Sequence, residues 1–508
     1  MKRIVCSLAV LMAAIVLQAQ VKISVHETRQ GEVIPPEIYG QFSEHLGRCV
    51  YEGIWVGPDS DIPNENGYRT DVLEALRALK VPVLRWPGGC FADDYHWRDG
   101  IGPRESRPKM VNSNWGGTVE DNSFGTHEFM DFCELLGIEP YISGNVGSGS
   151  VEEMAKWVEY ITARGGWQAE LRAKNGREEP WALKYFGVGN EAWGCGGNMT
   201  PDYYADVYRR YQTYLRDFDG NRLFKVASGA SDGDYNWTRV LMSRARSMMD
   251  AVSFHYYTII DWNAKGSATV FTPAEYWEVL GKAVGVEEII QGHVAVMDAY
   301  DPDNRVALFL DEWGTWFDVE PGSNPGHLYQ QNTMRDAMVA ALSLNIFHKY
   351  TERLKMANIA QLANVLQAMV LTNGGEMVLT PTYHVFRMYN VHQGATFIPV
   401  DYDPDYTFTA QGRPVPTLSI TASKAPDGKI HISIVNPSPD KEKSLELRFD
   451  TLKPELIQGE VLAAQSINSY NDFGHADRVS PKPFKNVRAN GKTLIVRVPA
   501  ASIVVLEL

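Results

Sequence analysis

Leu183-Lys-Tyr-Phe-Gly-Val-Gly-Asn-Glu-Ala-Trp193 is the stretch that decides the fold, because an apolar run of strand length ends there abruptly in an Asn-Glu pair. A second stretch, Val306-Ala-Leu-Phe-Leu-Asp-Glu-Trp313, repeats the construction with an Asp-Glu pair and again a tryptophan. Each stretch predicts a carboxylate that is held at the carboxyl end of a buried strand. The two glutamates concerned are Glu191 and Glu312.

Similar strand-like runs recur along the chain and alternate with helix-like segments, which is typical of a parallel sheet with crossover helices. Helical periodicity is clear at 70–79, 125–136, 151–163 and 201–218. Eight such units predict an α/β fold, a (β/α)8 TIM barrel that occupies residues 38–388. The predicted strands are 38–42, 81–86, 139–143, 183–188, 224–228, 251–255, 306–311 and 356–361.

The sequence beyond residue 388 has a different character, because helical periodicity stops and short strand-like runs follow. Turn signals at 426–428 and 489–491 predict hairpins between these runs. We expect residues 389–508 to form an all-β sandwich domain of the jelly-roll type. The segment 20–37 contains an isolated strand pattern at 21–25, which we expect to join one of the sandwich sheets.

Residues 1–19 have the composition of a secretory signal peptide. A charged start is followed by an apolar run at 4–17 that is too short to span a membrane, and Ala19 provides a small residue before a cleavage point. Cys6 lies inside the apolar run rather than after it, so no lipoprotein or membrane anchor is expected. These residues predict a bacterial protein that is exported to the periplasm or the extracellular space.

The cysteines, the histidines and the net charge argue against a metal site and against nucleic acid or membranes as partners. Four widely spaced cysteines follow the first segment and show no CxxC or zinc pattern, so we expect free or buried thiols, although an oxidising compartment leaves one disulfide open. The histidines show no ligand spacing, so neither a metal nor a cofactor is expected. A net charge of −14 without a basic tract makes nucleic acid and anionic membranes poor partners. The cysteines are Cys49, Cys90, Cys133 and Cys195.

The carboxyl ends of the predicted strands converge on one face, and this face carries the active site in such barrels. Two rigidly held glutamates there favour glycosidic bond cleavage, in which one carboxylic acid protonates the leaving oxygen while a second carboxylate acts from the opposite face. Glu191 follows Asn190, whose amide can donate to a sugar hydroxyl, and this suits the acid/base. Glu312 has Tyr257 and His255 as candidate donors that would keep it ionised, which suits the nucleophile.

A set of motifs is more specific than the Asn-Glu pair, which a whole clan of barrels shares. Because of this set, the chain resembles the α-L-arabinofuranosidases of glycoside hydrolase family 51 over nearly its whole length. The motifs are Tyr-Gly-Gln-Phe-Ser-Glu-His at 39–45, Arg-Trp-Pro-Gly-Gly-Cys-Phe at 85–91, Gly-Asn-Glu-Ala-Trp at 189–193, Phe-His-Tyr-Tyr at 254–257, Asp-Glu-Trp at 311–313 and Asn-Ile-Ala-Gln-Leu at 358–362.

The resemblance implies a retaining, exo-acting enzyme that releases arabinofuranose from arabinan, arabinoxylan or derived oligosaccharides of plant origin. Relatives commonly assemble as hexamers, so it also implies a homo-oligomer. Many relatives have Asn where this chain has Cys90, which shifts one sugar contact. Arg85 and His255 are expected to support the site, although Arg85 can equally be purely structural. The implied roles are Glu191 as acid/base, Glu312 as nucleophile, Glu44, Cys90, Asn190, Tyr257 and Gln361 as the lining of the arabinose subsite, and Trp316 at its border.

Two alternatives remain open from the residues alone. Another retaining enzyme of the same clan, an endoglucanase or a xylanase, would share the barrel and the Asn-Glu pair. A non-catalytic carbohydrate-binding protein would not need both glutamates. Several tryptophans either line the substrate cleft or pack in the core. They are Trp55, Trp97, Trp115 and Trp262.

Overall fold

The computed structural model describes residues 20–29, 31–403 and 405–508. The predicted signal segment, 1–19, therefore lies outside the described residues. Within the described part of the chain, no helix is both long enough and apolar enough to cross a membrane.

Eight parallel strands close into a barrel, which confirms the predicted fold class. The ring closes because the last strand pairs with the first, Asn358 opposite Gly40. The fifth, sixth and seventh strands run three to four residues further than the sequence pattern indicates, and each has a register shift against a neighbouring strand. In chain order, the barrel strands are Gly40–Phe42, Val83–Trp86, Glu139–Gly144, Tyr185–Val188, Phe224–Ser231, Ala251–Thr258, Ala307–Thr315 and Leu354–Ala360.

Ten helices accompany the strands in the described ranges, and local capping chemistry explains where several begin. Thr200 accepts a hydrogen bond from the Tyr203 N–H and is followed by Pro201, whose fixed φ suits a first helical turn. Thr272 and Glu275 form a reciprocal capping box. The helices are Thr70–Leu79, Thr126–Leu136, Val151–Thr162, Trp167–Lys174, Pro201–Tyr214, Tyr235–Ala245, Pro273–Val284, Val286–Tyr300, Met334–Phe347 and Pro381–Tyr389.

An apolar layer fills one end of the barrel interior. It consists of buried side chains from seven of the eight strands, so the barrel is packed and is not a pore. The layer contains Val83, Tyr141, Tyr185, Val226, Ala251, Phe309 and Met356.

The carboxyl-terminal region is a sandwich of two sheets around its own apolar core, as expected. Most neighbouring strands are antiparallel, and side chains from both sheets alternate into the core. One sheet has the strand order Val400–Asp401, Val21–Val25, Lys443–Phe449, Thr493–Val498 and Val487–Asn490. The other has the order Thr396–Ile398, Ser419–Lys424, Ile430–Asn436, Ser502–Glu507, Gln458–Ala463 and Lys482–Pro483.

The amino-terminal strand Val21–Val25 lies inside the five-stranded sheet. It runs parallel to Lys443–Phe449 over five residue pairs and antiparallel to Val400–Asp401 on its other side. Ile23 and Val25 are buried in the sandwich core. The amino-terminal strand is thus part of the carboxyl-terminal sandwich, in the sheet that does not contain the last strand, Ser502–Glu507.

His348 connects the barrel to the sandwich. Its Nε2 lies 2.9 Å from the hydroxyl of Tyr39, which leads into the first barrel strand, and its Nδ1 lies 3.0 Å from the hydroxyl of Thr421 in the sandwich. Burial lowers the pKa of His348 from its usual 6.5 to about 3. The ring is therefore neutral in the folded protein at any pH near neutrality.

This depressed pKa predicts acid sensitivity. The unfolded chain takes up a proton at His348 below about pH 6.5 while the folded protein does not, so the contribution is complete above pH 6.5 and is lost towards pH 3. About 2 kcal/mol should be lost between pH 6.5 and 4.5. In calorimetric scans across this range, His348→Gln should have a shallower dependence of Tm on pH than the unmodified protein.

The control for this experiment is His475→Gln, since His475 is an exposed histidine in a turn of the sandwich. It should leave the dependence of Tm on pH unchanged. An equally steep dependence in His348→Gln and the unmodified protein would show that other groups cause the acid sensitivity.

Candidate active site

Glu191 and Glu312 meet at the carboxyl ends of the fourth and seventh barrel strands. The Nδ1 atom of His255 lies 3.0 Å from Oε1 of Glu191 and 3.6 Å from Oε2 of Glu312. Oxygen atoms of the two carboxylates and this ring nitrogen all lie within 4.8 Å of one another. Two residues that are 121 positions apart in the sequence thus share one histidine.

Glu312 is buried and surrounded by donors. Its Oε1 accepts a hydrogen bond from Nη1 of Arg85 at 2.9 Å, and its Oε2 accepts one from the hydroxyl of Tyr257 at 2.8 Å. Burial alone would raise the pKa of Glu312, but His255, Arg85 and Tyr257 together hold this pKa below its ordinary value. The carboxylate is therefore kept ionised, which is what a nucleophile requires.

Arg85 lies at the centre of the polar network beneath the site. In addition to its ion pair with Glu312, its Nη2 donates to Oδ1 of Asn190 at 2.5 Å and its Nε donates to the hydroxyl of Ser143 at 3.1 Å. The guanidinium also lies over the ring of Phe42, 4.6 Å from its centroid. One fully buried cation thus links the ends of the first, second, third, fourth and seventh strands.

Asn190 and Glu191 occupy a turn directly after the fourth strand. Glu191 has a φ of 39°, in the left-handed region that non-glycine residues rarely adopt. The amide nitrogen of the Asn190 side chain is buried and has no hydrogen-bond partner among the described residues. This unused donor is available to a sugar hydroxyl.

Cys90 and Cys195 form a disulfide beside Glu191. The Sγ atoms of Cys90 and Cys195 lie 3.6 Å and 3.3 Å from Oε2 of Glu191. The expectation of free thiols is therefore wrong for this pair, while Cys49 and Cys133 are free and buried as expected. The bridge closes a 105-residue separation that no local spacing could indicate.

Glu44 is a third carboxylate in the site, and it is buried. Its Oε1 accepts hydrogen bonds from the Phe91 N–H at 3.0 Å and from Nε1 of Trp115 at 2.9 Å, and its Oε2 accepts one from Nε2 of Gln361 at 3.2 Å. Burial and the neighbouring Glu312 raise the pKa of Glu44 to about 8. Glu44 and Gln361 thus form a polar wall made by the first and eighth strands.

Aromatic side chains form the rim of the site. Trp316 packs edge-on against Tyr257 with ring centroids 5.0 Å apart, and Trp262 packs edge-on against Trp316 at 5.4 Å. Trp262 is 58% exposed, whereas Trp55 and Trp97 are buried in the core. The four tryptophans whose role the sequence left open therefore fall into two groups. Two pack in the core, whereas Trp262 lies at the rim and Trp115 donates a hydrogen bond to Glu44.

The arrangement supports acid/base and nucleophilic chemistry on one small ring. An ionised carboxylate and a second carboxylate in contact with the same histidine flank the space bounded by a polar wall and an aromatic rim. All ten residues that the sequence predicts for the site lie at the carboxyl ends of strands or in the loops that follow. Sequence reasoning missed the contact of Trp115 with Glu44 and the proximity of Cys195 to Glu191, although Cys195 is only four residues further along the chain.

Comparison with known proteins identifies the family. The family profile described as Alpha-L-arabinofuranosidase 1 domain matches residues 75–270, and the one described as Alpha-L-arabinofuranosidase C-terminal domain matches residues 311–502. The chain is 59% identical over 510 residues to a Bacteroides ovatus protein named intracellular exo-alpha-L-arabinofuranosidase, with 100% of this chain and 99% of the relative covered.

Solved structures agree with these matches. The crystal structure of a family 51 arabinofuranosidase from Xanthomonas axonopodis pv. citri superposes with a TM-score of 0.95 at 48% identity, covering 97% of this chain and 100% of that chain. The alpha-L-arabinofuranosidase of Thermotoga maritima, in its arabinose complex, superposes with a TM-score of 0.86 at 30% identity, covering 96% of this chain and 100% of that chain.

The prediction of a signal peptide and of export to the periplasm or the extracellular space was wrong. The finding against it is that the Bacteroides ovatus relative, which matches this chain over its full length, is named intracellular. The prediction rested on the composition of residues 1–19 alone. A basic start and a short apolar run carry no packing information, so composition there was a weak basis for the inference.

The fold class and the activity expected from the sequence agree with these matches. The closed barrel with its sandwich agrees with the solved structures of family 51, and the predicted activity is confirmed by the relatives. The endoglucanase, xylanase and non-catalytic alternatives are thereby set aside. The chain belongs to the α-L-arabinofuranosidases of glycoside hydrolase family 51, and it is an exo-acting hydrolase of arabinose-containing glycans.

Proposed function

We propose that Glu312 is the nucleophile and Glu191 the acid/base of a double displacement that retains the anomeric configuration. The observation that carries this proposal is the approach of the two carboxylates to within 4.8 Å. Retaining glycosidases have carboxyl groups about 5–5.5 Å apart, whereas inverting enzymes need about 6.5–9.5 Å to admit a water molecule between them.

The first step forms a covalent intermediate. An oxygen of Glu312 attacks the anomeric carbon of the arabinofuranose while Glu191 donates its proton to the departing glycosidic oxygen. In the second step, Glu191 takes a proton from water, and the resulting hydroxide displaces Glu312 from the anomeric carbon. His255 lies next to both carboxylates and therefore stays close to whichever of them is negatively charged at each step.

The arabinose subsite is proposed to be a pocket for a single terminal ring. Glu44, Asn190 and Gln361 present polar groups from three strand ends, with Cys90 and Tyr257 beside the carboxylates and Trp316 at the border. This enclosure leaves little room for a glycan to continue beyond the bound ring, which accords with exo action. Arabinan, arabinoxylan and their oligosaccharides are the proposed plant-derived substrates.

The domain division and the assembly are also proposals. We assign residues 38–388 to the catalytic barrel and residues 389–508, together with the segment 20–37, to the sandwich. The strand pairing of Val21–Val25 with Lys443–Phe449 supports the discontinuous sandwich. A homo-oligomer, and specifically a hexamer, is proposed from the resemblance to the family.

Product stereochemistry tests the mechanism. Proton NMR during hydrolysis of an aryl α-L-arabinofuranoside should show α-arabinofuranose as the first product, with the β-anomer rising only as the sugar mutarotates. With methanol as an added acceptor, the methyl glycoside formed should also be α. Initial formation of the β-anomer would mean inversion, and the roles assigned to Glu312 and Glu191 would then be wrong.

A further inference from the structure

Asp93 is a buried carboxylate outside the sugar-binding set. It ends the short 3-10 turn Cys90–Asp93 that follows the second barrel strand, and it is 3% exposed. Its Oδ1 accepts hydrogen bonds from the main-chain N–H groups of Val146 and Gly147, both at 2.9 Å. Its Oδ2 accepts one from the main-chain N–H of Asn190 at 3.2 Å. One side chain therefore connects the loops after the second, third and fourth strands.

This placement is energetically costly. Burial raises the pKa of Asp93 to about 7, and the hydrogen bonds from the three main-chain N–H groups only partly offset this effect. All three of these hydrogen bonds come from main-chain N–H groups, so the carboxylate fixes the positions of the loops to which those groups belong. Because this buried carboxylate is costly and holds loops beside the active site, we infer that it serves function rather than stability.

The backbone that Asp93 organises leads directly to Glu191. Asn190 immediately precedes Glu191, whose left-handed φ of 39° has to be imposed by its surroundings. The loop after Glu191 also returns to the same carboxylate, since a Cβ at Gly196 would lie 2.8 Å from Oδ2 of Asp93 and 1.9 Å from the Asn190 carbonyl oxygen. Asp93 thus contacts the chain on both sides of Glu191.

We propose that Asp93 is a positioning residue for Glu191: its carboxylate holds the Asn190 N–H and thereby fixes the strained turn that presents the acid/base. This inference rests on the proposed role of Glu191. Asp93 acts through the main chain and touches neither the sugar nor the other site carboxylates. The expected signature of its loss is therefore impaired proton donation by a Glu191 that is still present.

Asp93→Asn tests the proposal with little change in volume. The amide oxygen can still accept from Val146 and Gly147, but the amide nitrogen then faces the Asn190 N–H, and two donors do not hydrogen-bond. Assayed above pH 7, the variant should lose roughly 10- to 100-fold in kcat/KM on an arabino-oligosaccharide. The loss should be several-fold smaller on a nitrophenyl arabinofuranoside, whose leaving group needs little protonation.

A double-mutant cycle separates positioning from general damage. On the nitrophenyl substrate, Asp93→Asn should have almost no effect once Glu191→Ala is present, and azide should rescue the single Glu191 variant and the double variant to the same rate. Asp94→Asn is the matched control, because Asp94 is the next residue and contacts surface side chains, and it should keep its activity within about twofold.

The outcomes are distinct. Equal losses on both substrates, or a full Asp93→Asn loss in the Glu191→Ala background, would overturn the positioning role. If Glu191→Ala itself showed no dependence on the leaving group, the proposed function would fail first, and this inference with it. Should Asp93→Asn not fold, as judged by its melting transition, the smaller neutral side chain of Asp93→Ser carries the same cycle.

Discussion

Replacing Glu312 by glutamine should lower kcat on a nitrophenyl arabinofuranoside by about 10⁴-fold or more, because an amide cannot attack the anomeric carbon. The replacement is nearly isosteric, so the folded structure should persist. Arg85 does, however, lose the charge of its partner at 2.9 Å. Steady-state kinetics measures the loss, and a melting curve establishes that the variant is folded.

Covalent labelling makes the same assignment independently. A slow fluorinated or epoxide-type arabinose analogue should label the unmodified enzyme at Glu312 and nowhere else, as read by peptide mass mapping. Glu139→Gln is a suitable control for the substitution, because Glu139 lies at the start of a barrel strand, on the opposite face of the barrel. A label on another carboxylate, or high activity in Glu312→Gln, would contradict the role.

Replacing Glu191 by alanine should discriminate sharply between substrates. General acid catalysis contributes about 10²–10⁴-fold, and this contribution matters most when the leaving group is poor. Activity on an arabino-oligosaccharide should therefore fall by about that factor, while formation of the covalent intermediate from a nitrophenyl glycoside should be nearly preserved. Comparison of kcat/KM on the two substrates measures the effect.

Azide provides a second readout for Glu191→Ala. A small anion can enter the space left by the side chain and attack the covalent intermediate without general base assistance. Added azide should accelerate turnover of the nitrophenyl substrate and yield an arabinosyl azide that is visible by chromatography. Equal losses on both substrates together with no response to azide would assign the acid/base role to another residue.

The barrel could be predicted from the sequence because buried parallel strands appear as apolar runs, and here several of the runs are followed by a polar motif. The ends of the strands were predicted less well where a strand continues past its polar motif. The sixth strand extends to Thr258 and the seventh to Thr315, so Tyr257 and Glu312 lie within hydrogen-bonded strands rather than in loops. Strand pairing, which the sequence does not show, determines those ends.

The contacts between distant loops were not readable at all. The pairing of Cys90 with Cys195, the hydrogen bond from Trp115 to Glu44 and the main-chain contacts of Asp93 depend on how loops after different strands fold over one another. No periodicity or spacing encodes such contacts. The strand-end residues, including Arg85 and His255 as supports, could be predicted from the sequence, whereas these contacts between loops required the structure.

The position of Val21–Val25 inside a sandwich sheet affects the order in which the two domains can fold during synthesis. This strand leaves the ribosome early, but its parallel partner Lys443–Phe449 begins about 420 residues later, which corresponds to roughly 20–80 s of translation. The barrel strands are made before this partner and can close while both edges of Val21–Val25 are still unpaired. The sandwich is therefore completed only near the end of synthesis, after Lys443–Phe449 has been made and can pair with Val21–Val25.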